Sequence, residues 1–91
     1  MSIETSATKL YLRQLPPLQV HDLLEEYKIP SPYKEVLIAC CANRLDAFPA
    51  ISYLEETYEL HISYWHYVKL LKDALVMFHE TTSYLNSKIN R

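Results

Sequence analysis

Apolar positions recur with helical spacing along most of this chain. Val20, Leu23, Leu24 and Tyr27 fall at i, i+3, i+4 and i+7, one face of a helix, while Asp22, Glu25 and Glu26 point elsewhere. Pro17 suits the first turn of that helix, and "KIPSP" at 28–32 stops it. A following helix starts with Ser31 as N-cap and Pro32 at the first helical position, and runs to about Arg44. Its inward stripe is Tyr33, Val36, Leu37, Cys40 and Cys41, and the small residues of "ACCA" let a neighbour approach closely. Asp46 is the expected cap of the next helix, with Pro49 in its first turn. Phe48, Ile51, Leu54 and Tyr58 form its apolar face, and Glu55, Glu56 and Glu59 point outward. Near the N-terminus the pattern is weaker. Residues 1–5 are expected to fray, and a short helix over roughly 6–14, capped by Thr5 or Ser6, ends at "LPP".

The most regular pattern is C-terminal. Tyr64, Val68, Leu71, Leu75, Phe78, Thr82, Leu85 and Ile89 alternate steps of four and three, a heptad-like seam. Continued upstream through Leu60, the seam takes two successive steps of four and slips register, which predicts a break near 59–63 rather than one fused helix. Apolar residues also lie off the seam: Ile62, Trp65 and Val76 nearly opposite it, and Leu70, Met77 and Tyr84 on a third line. A helix apolar almost all round is buried on several sides. Two readings follow. Either this is a central helix wrapped by the shorter ones, or part of it is a surface for a second chain. A helix over 60–89 would be about 45 Å long, against a radius of gyration of about 12 Å for a compact domain of this size. Its far end would then need cover, and a second copy of the chain is one candidate.

Glycine is absent, where about six would be usual. Tight hairpins need residues at positive φ, and no clean period-2 run or Asn-Gly pair occurs. The expectation is an all-α fold: one domain over 1–91, a compact bundle of four or five helices with a long C-terminal helix. Left-handed helix ends would fall to Asn43, Asn86 and Asn90.

Charge narrows the functional classes. The net charge is −2, and each half is nearly balanced, so no basic block exists to neutralise phosphates. The N-terminal "MSIETSATKL" lacks the features of a signal peptide, and the longest apolar run, "VLIACCA", is too short to span a membrane. A cytoplasmic protein without membrane contact is expected. Cys40 and Cys41 are adjacent, so an ordinary disulfide between them would be strained, and a zinc site needs four ligands at other spacings. They read as core. His21 and Glu25 share a helix face, but two ligands do not make a metal site. Nothing resembles a nucleophile with its base or a carboxylate pair in a cleft. No catalytic residue, cofactor or metal is expected.

One stretch stands out. From Leu45 to Val68 there are four acidic residues and no Lys or Arg, alongside Tyr53, Tyr58, Tyr64, Tyr67 and Trp65. Aromatic residues make interface hot spots, and an acidic surround steers a basic partner. The leading expectation is a non-enzymatic protein-binding module (adaptor, chaperone or inhibitor). It would dock through Trp65 as anchor with Ile62 and Tyr58, rimmed by Glu55, Glu56 and Glu59. The alternative is a nucleic-acid-associated helical regulator, which needs Lys28, Lys34 and Arg44 on one face, with Lys9 and Arg13 as further candidates.

Overall fold

The computed structural model describes the backbone of residues 3–89 and the side chains of residues 5–82. Proline sets the first helix boundaries. α1 (Ile3–Gln14) stops ahead of Pro16, and α2 (Pro17–Glu26) starts at once with Pro17 in its first turn. α3 (Tyr33–Leu37) runs directly into a π-helical turn (Ile38–Ala42). α4 (Ala47–Tyr58) and α5 (Tyr64–Ile89) complete an all-α bundle with no strand among the described residues. The break between α4 and α5 lies at 59–63, where the register slip placed it. No helix among the described residues is long and apolar enough to cross a membrane.

The element enclosed on all sides is not α5 but the short segment after α3. Seven consecutive residues, Val36 to Ala42, are buried. Their small side chains at 39–42 let α1, α2 and α4 close around the π-helical turn. α5 covers the remaining side, packing mainly on α3 and α1. Its buried stripe is Tyr67, Leu70, Leu71, Ala74, Leu75 and Phe78. That corrects the expected seam at its upper end, where Tyr64 and Val68 are 38% and 37% exposed. The helix is rotated so that small Ala74, rather than Val68, lies at the centre of the contact. The side chains of Leu85 and Ile89 lie outside the described residues. The longest extent of the molecule is 43 Å, against 26 and 22 Å in the other directions, and a helix of 26 residues accounts for most of it.

Three further expectations change. Helix α1 begins at Ile3 rather than near Ser6, and Thr5, placed in a fraying end, is fully buried; residues 1–2 lie outside the described residues. Thr5, Thr8 and Leu12 face inward while Leu10 and Tyr11 face out, so the helix hides polar residues and shows apolar ones. At α3, Pro32 occupies the N-cap position, and the Ser31 hydroxyl donates to the Glu35 carboxylate instead of accepting from the backbone. Among the described residues the left-handed ones are Lys28, Arg44 and Glu59, at φ of 55°, 54° and 55°, and not asparagines. Asn43 keeps right-handed geometry, Asn86 lies within α5, and Asn90 lies outside the described residues.

Lys28 shows why a left-handed residue is needed. The Ile29 N–H donates to Leu24 O at 3.0 Å and the Lys28 N–H to Glu25 O at 3.1 Å, the paired bonds of a Schellman ending. Leu24 and Ile29, the flanking apolar pair, are both buried. A side chain at positive φ costs about 1–2 kcal/mol, and glycine returns about 0.4–1 kcal/mol of that in unfolded-chain entropy. Lys28→Gly is therefore expected to raise stability by about 0.5–1 kcal/mol, read as a Tm increase of several degrees. Arg44→Gly relieves the same backbone cost but removes the hydrogen bonds of its guanidinium to Arg13 O at 2.8 Å and Leu15 O at 3.4 Å. It is expected to destabilise, and equal gains from both variants would refute the role assigned to Arg44.

Candidate functional site: an aromatic platform and the cavity beside it

Two helix starts build the platform. Asp46 sits at the N-cap position of α4 with extended backbone, and the Ala50 N–H donates to its carbonyl at 2.8 Å. The Asp46 side chain makes no capping bond, contrary to expectation, and borders a cavity instead. Pro49 falls in the first turn, where its missing N–H has no acceptor to serve. Phe48, expected on the inward face, is 70% exposed, because Ala50 and Leu54 take the buried positions.

The α4 helix ends at left-handed Glu59, with the Leu60 N–H donating back to Leu54 O at 3.2 Å. Leu60 and Ile62 pack partly against the core. This linker returns the chain to the head of α4. There Ser63 caps α5: its Oγ accepts from the His66 N–H at 3.2 Å, which fixes the first turn and the two rings on it. Tyr64 stacks on Phe48, with centroids 5.3 Å apart at 25°, and Trp65 meets Tyr64 edge-on at 5.0 Å and 82°. Trp65 is 77% exposed. Three rings thus form one cluster largely open to solvent.

The expected site residues divide. Trp65 joins the platform with Phe48 and Tyr64. Ile62 is half-buried against the core. Tyr58 packs edge-on against Tyr53 at 5.8 Å, and burial, with Tyr53 adding to it, pushes its phenol up to about 12. Glu55, Glu56 and Glu59 are all exposed, and Glu55 lies 3.3 Å from His61 Nδ1. The three carboxylates lie on the same outward strip of α4 as Phe48 and Ser52, at steps of three and four, with Glu59 just past the helix end. Glu55 is seven residues beyond Phe48, about 10 Å along the axis. The strip therefore runs from an aromatic end to an acidic end. Phe48 was assigned by its spacing to the inward face, and the same spacing fits the outward strip it occupies.

Three of the five cations of the nucleic-acid alternative have partners within the chain. Lys34 pairs with Glu25, and Arg13 and Arg44 donate to backbone carbonyls. Arg13 reaches from α1 to the π-helical turn, where its Nε donates to Cys40 O at 2.9 Å and its Nη2 to Leu45 O at 3.0 Å.

Beside the platform lies a cavity of about 180 Å³ bounded by Lys9 and Arg13 of α1, Cys40, the 45–47 segment, and Tyr67, Val68 and Leu71 of α5. Val68 is one turn on from Tyr64, and Ala47 adjoins Phe48, so platform and cavity share an edge. Cys40 and Cys41 are both free thiols in the core. Interaction with the neighbouring Cys41 thiol holds the Cys40 thiol below its ordinary range, against the cost of burial, and Arg13, Lys9 and Tyr67 add to the effect. Its neighbour Cys41 moves the other way, through the same interaction and through burial. No group of three or more His, Cys, Asp or Glu among the described residues is arranged to hold a metal.

Comparison with protein-family models, with curated proteins and with solved structures gives no match. Function is therefore argued from the residues alone.

Arg13 is the structural test of this region. Its loss leaves two partly buried carbonyls without a donor, at about 1–3 kcal/mol each. Arg13→Leu is expected to lower the unfolding free energy in urea by about 2–4 kcal/mol. Arg13→Lys should recover less than half of that, because an ammonium cannot reproduce the planar fork. Full recovery by lysine would show that charge, not the paired bonds, holds the turn.

Proposed function

We propose that this chain is a non-enzymatic protein-binding module that receives a partner segment along the outward strip of α4. An apolar or aromatic side chain of the partner seats on Phe48, Tyr64 and Trp65. Basic side chains roughly 10–16 Å further on meet Glu55, Glu56 and Glu59, about two to three turns along a bound helix. The observation that carries this reading is the three-ring platform, with Trp65 and Phe48 exposed at 77% and 70%, in line with a carboxylate cluster on a helix that carries no Lys or Arg. Tryptophan is the residue type most enriched among interface hot spots. Acidic rim charges would supply steering, and so a salt-dependent association rate.

The test is selection of a displayed peptide library on the immobilised chain. Enriched sequences are expected to pair an apolar anchor with Lys or Arg near seven residues away. Trp65→Ala should weaken an enriched peptide at least tenfold while changing stability by no more than about 0.5–1 kcal/mol, since the side chain is mostly exposed. The triple change of Glu55, Glu56 and Glu59 to Gln should remove most of the salt dependence. Enrichment no greater than on the Trp65→Ala chain would overturn the reading. Light scattering on the same samples distinguishes a second copy as occupant: a dimer that Trp65→Ala dissociates would place self-association on this platform.

A further inference from the structure

The cavity beside the platform sets two cations beside a buried thiol. Lys9 and Arg13 both border it, and neither is paired with a carboxylate among the described residues. A guanidinium drawn into a partly buried position without a counter-ion is costly. The group facing it is a thiol: Arg13 Nη2 lies 3.8 Å from Cys40 Sγ. Cys41 follows it on the same turn, and Tyr67 of α5 borders the same cavity. Asp46 at the cavity edge is the opposing charge, and α2 presents Val20 and Leu24, which are apolar and buried. The cations are completed if the sulfur is an anion.

A buried cysteine in apolar surroundings is inert, and one in an electropositive, reachable pocket is a nucleophile. Cys40 is only 2% exposed, but it borders the cavity and so is open to molecules small enough to enter. We propose that Cys40 is a reactive thiolate that small hydroperoxides, hydrogen peroxide first among them, convert to a sulfenic acid. The sulfur attacks one peroxide oxygen, a sulfur–oxygen bond forms, and the oxygen–oxygen bond breaks. The sulfur is oxidised by two electrons. The peroxide is reduced to an alkoxide or hydroxide, which leaves beside Arg13 and Lys9 and takes a proton from solvent to become the alcohol or water. The apolar walls, Leu45, Ala47, Val68 and Leu71, admit a short alkyl group and exclude a bulky reagent. Cys41 is adjacent in sequence, so an ordinary disulfide does not consume the product.

The folded chain is treated with hydrogen peroxide, unfolded in the presence of dimedone, and sequenced by mass spectrometry. The expected result is a dimedone adduct on Cys40 and none on Cys41. In parallel, the rate at which iodoacetamide alkylates Cys40 in the folded chain is followed against pH. Its midpoint should lie clearly below the ordinary thiol value of about 8.5. Lys9→Gln, a half-buried position outside the core, should raise that midpoint and slow alkylation several-fold near neutrality. A folded chain that takes up no oxygen at doses that oxidise both thiols of the unfolded chain would overturn the proposal. So would an alkylation midpoint at the ordinary thiol value.

Discussion

The structure depends on how a fully buried π-helical turn satisfies its backbone. The wider π turn does not offer each carbonyl the standard partner four residues on. Here the Asn43 N–H reaches back to Ile38 O at 3.0 Å and the Leu45 N–H to Ala39 O at 3.2 Å. Cys40 O takes its bond from Arg13 instead. A buried carbonyl without a donor costs more than an average hydrogen bond contributes, so this contact is needed wherever the turn is enclosed. The same guanidinium takes Leu45 O, and Arg44 answers by donating to Arg13 O. Two arginines thus tie the end of α1 to the exit of the turn. That exit leads straight to Asp46 and the head of α4, so the position of the aromatic platform follows from it.

The absence of glycine makes this arrangement more demanding. Among the described residues, each of the three left-handed ones stands at or just beyond the end of a helical segment: Lys28 after α2, Arg44 after the π-helical turn, Glu59 after α4. The energy lost at these positions must be offset by packing, and the buried Leu24–Ile29 pair and the half-buried Leu60 show where that happens. Ordinary residues at such corners also narrow the unfolded ensemble relative to glycine, which recovers part of the loss.

Much of this was legible in the sequence, and the failures have physical causes. The α2 helix was readable because Val20 and Leu24, its fully buried residues, sit on a clean apolar face bounded by prolines. The break at 59–63 was readable from the register slip. The α1 helix was poorly legible because its inward positions are Thr5 and Thr8, whose hydroxyls look like surface polarity. The π-helical turn was invisible, since "IACCA" reads equally well as α-helix and its altered bonding depends on an arginine 27 residues earlier. In α5 the step pattern gave the correct lower stripe, Leu71, Leu75 and Phe78, but could not show that Ala74 would rotate Tyr64 and Val68 toward solvent. For the site, Trp65 and the three glutamates were visible by type. Their separation along α4 was not, because it depends on a linker that returns α5 to Phe48.

That return has a consequence for how platform and cavity relate. Tyr64, Trp65, Tyr67 and Val68 occupy little more than one turn of α5, yet they divide sharply: Trp65 is 77% exposed and Tyr67 2%. Tyr64 and Val68, four apart, lie between those extremes at nearly equal exposure, on the boundary between the rings and the cavity. A side chain seated on Tyr64 would therefore lie within reach of Val68 and narrow the way in to Cys40. The reverse also holds. An oxygen added to the Cys40 sulfur enlarges a group packed beside Tyr67 and Arg13, in a core where one extra heavy atom is felt. Arg13 is also the residue that fixes Leu45 and so the head of α4. An occupied platform and an oxidised Cys40 would thus both act on the two helix starts, one of which Arg13 holds through Leu45 O.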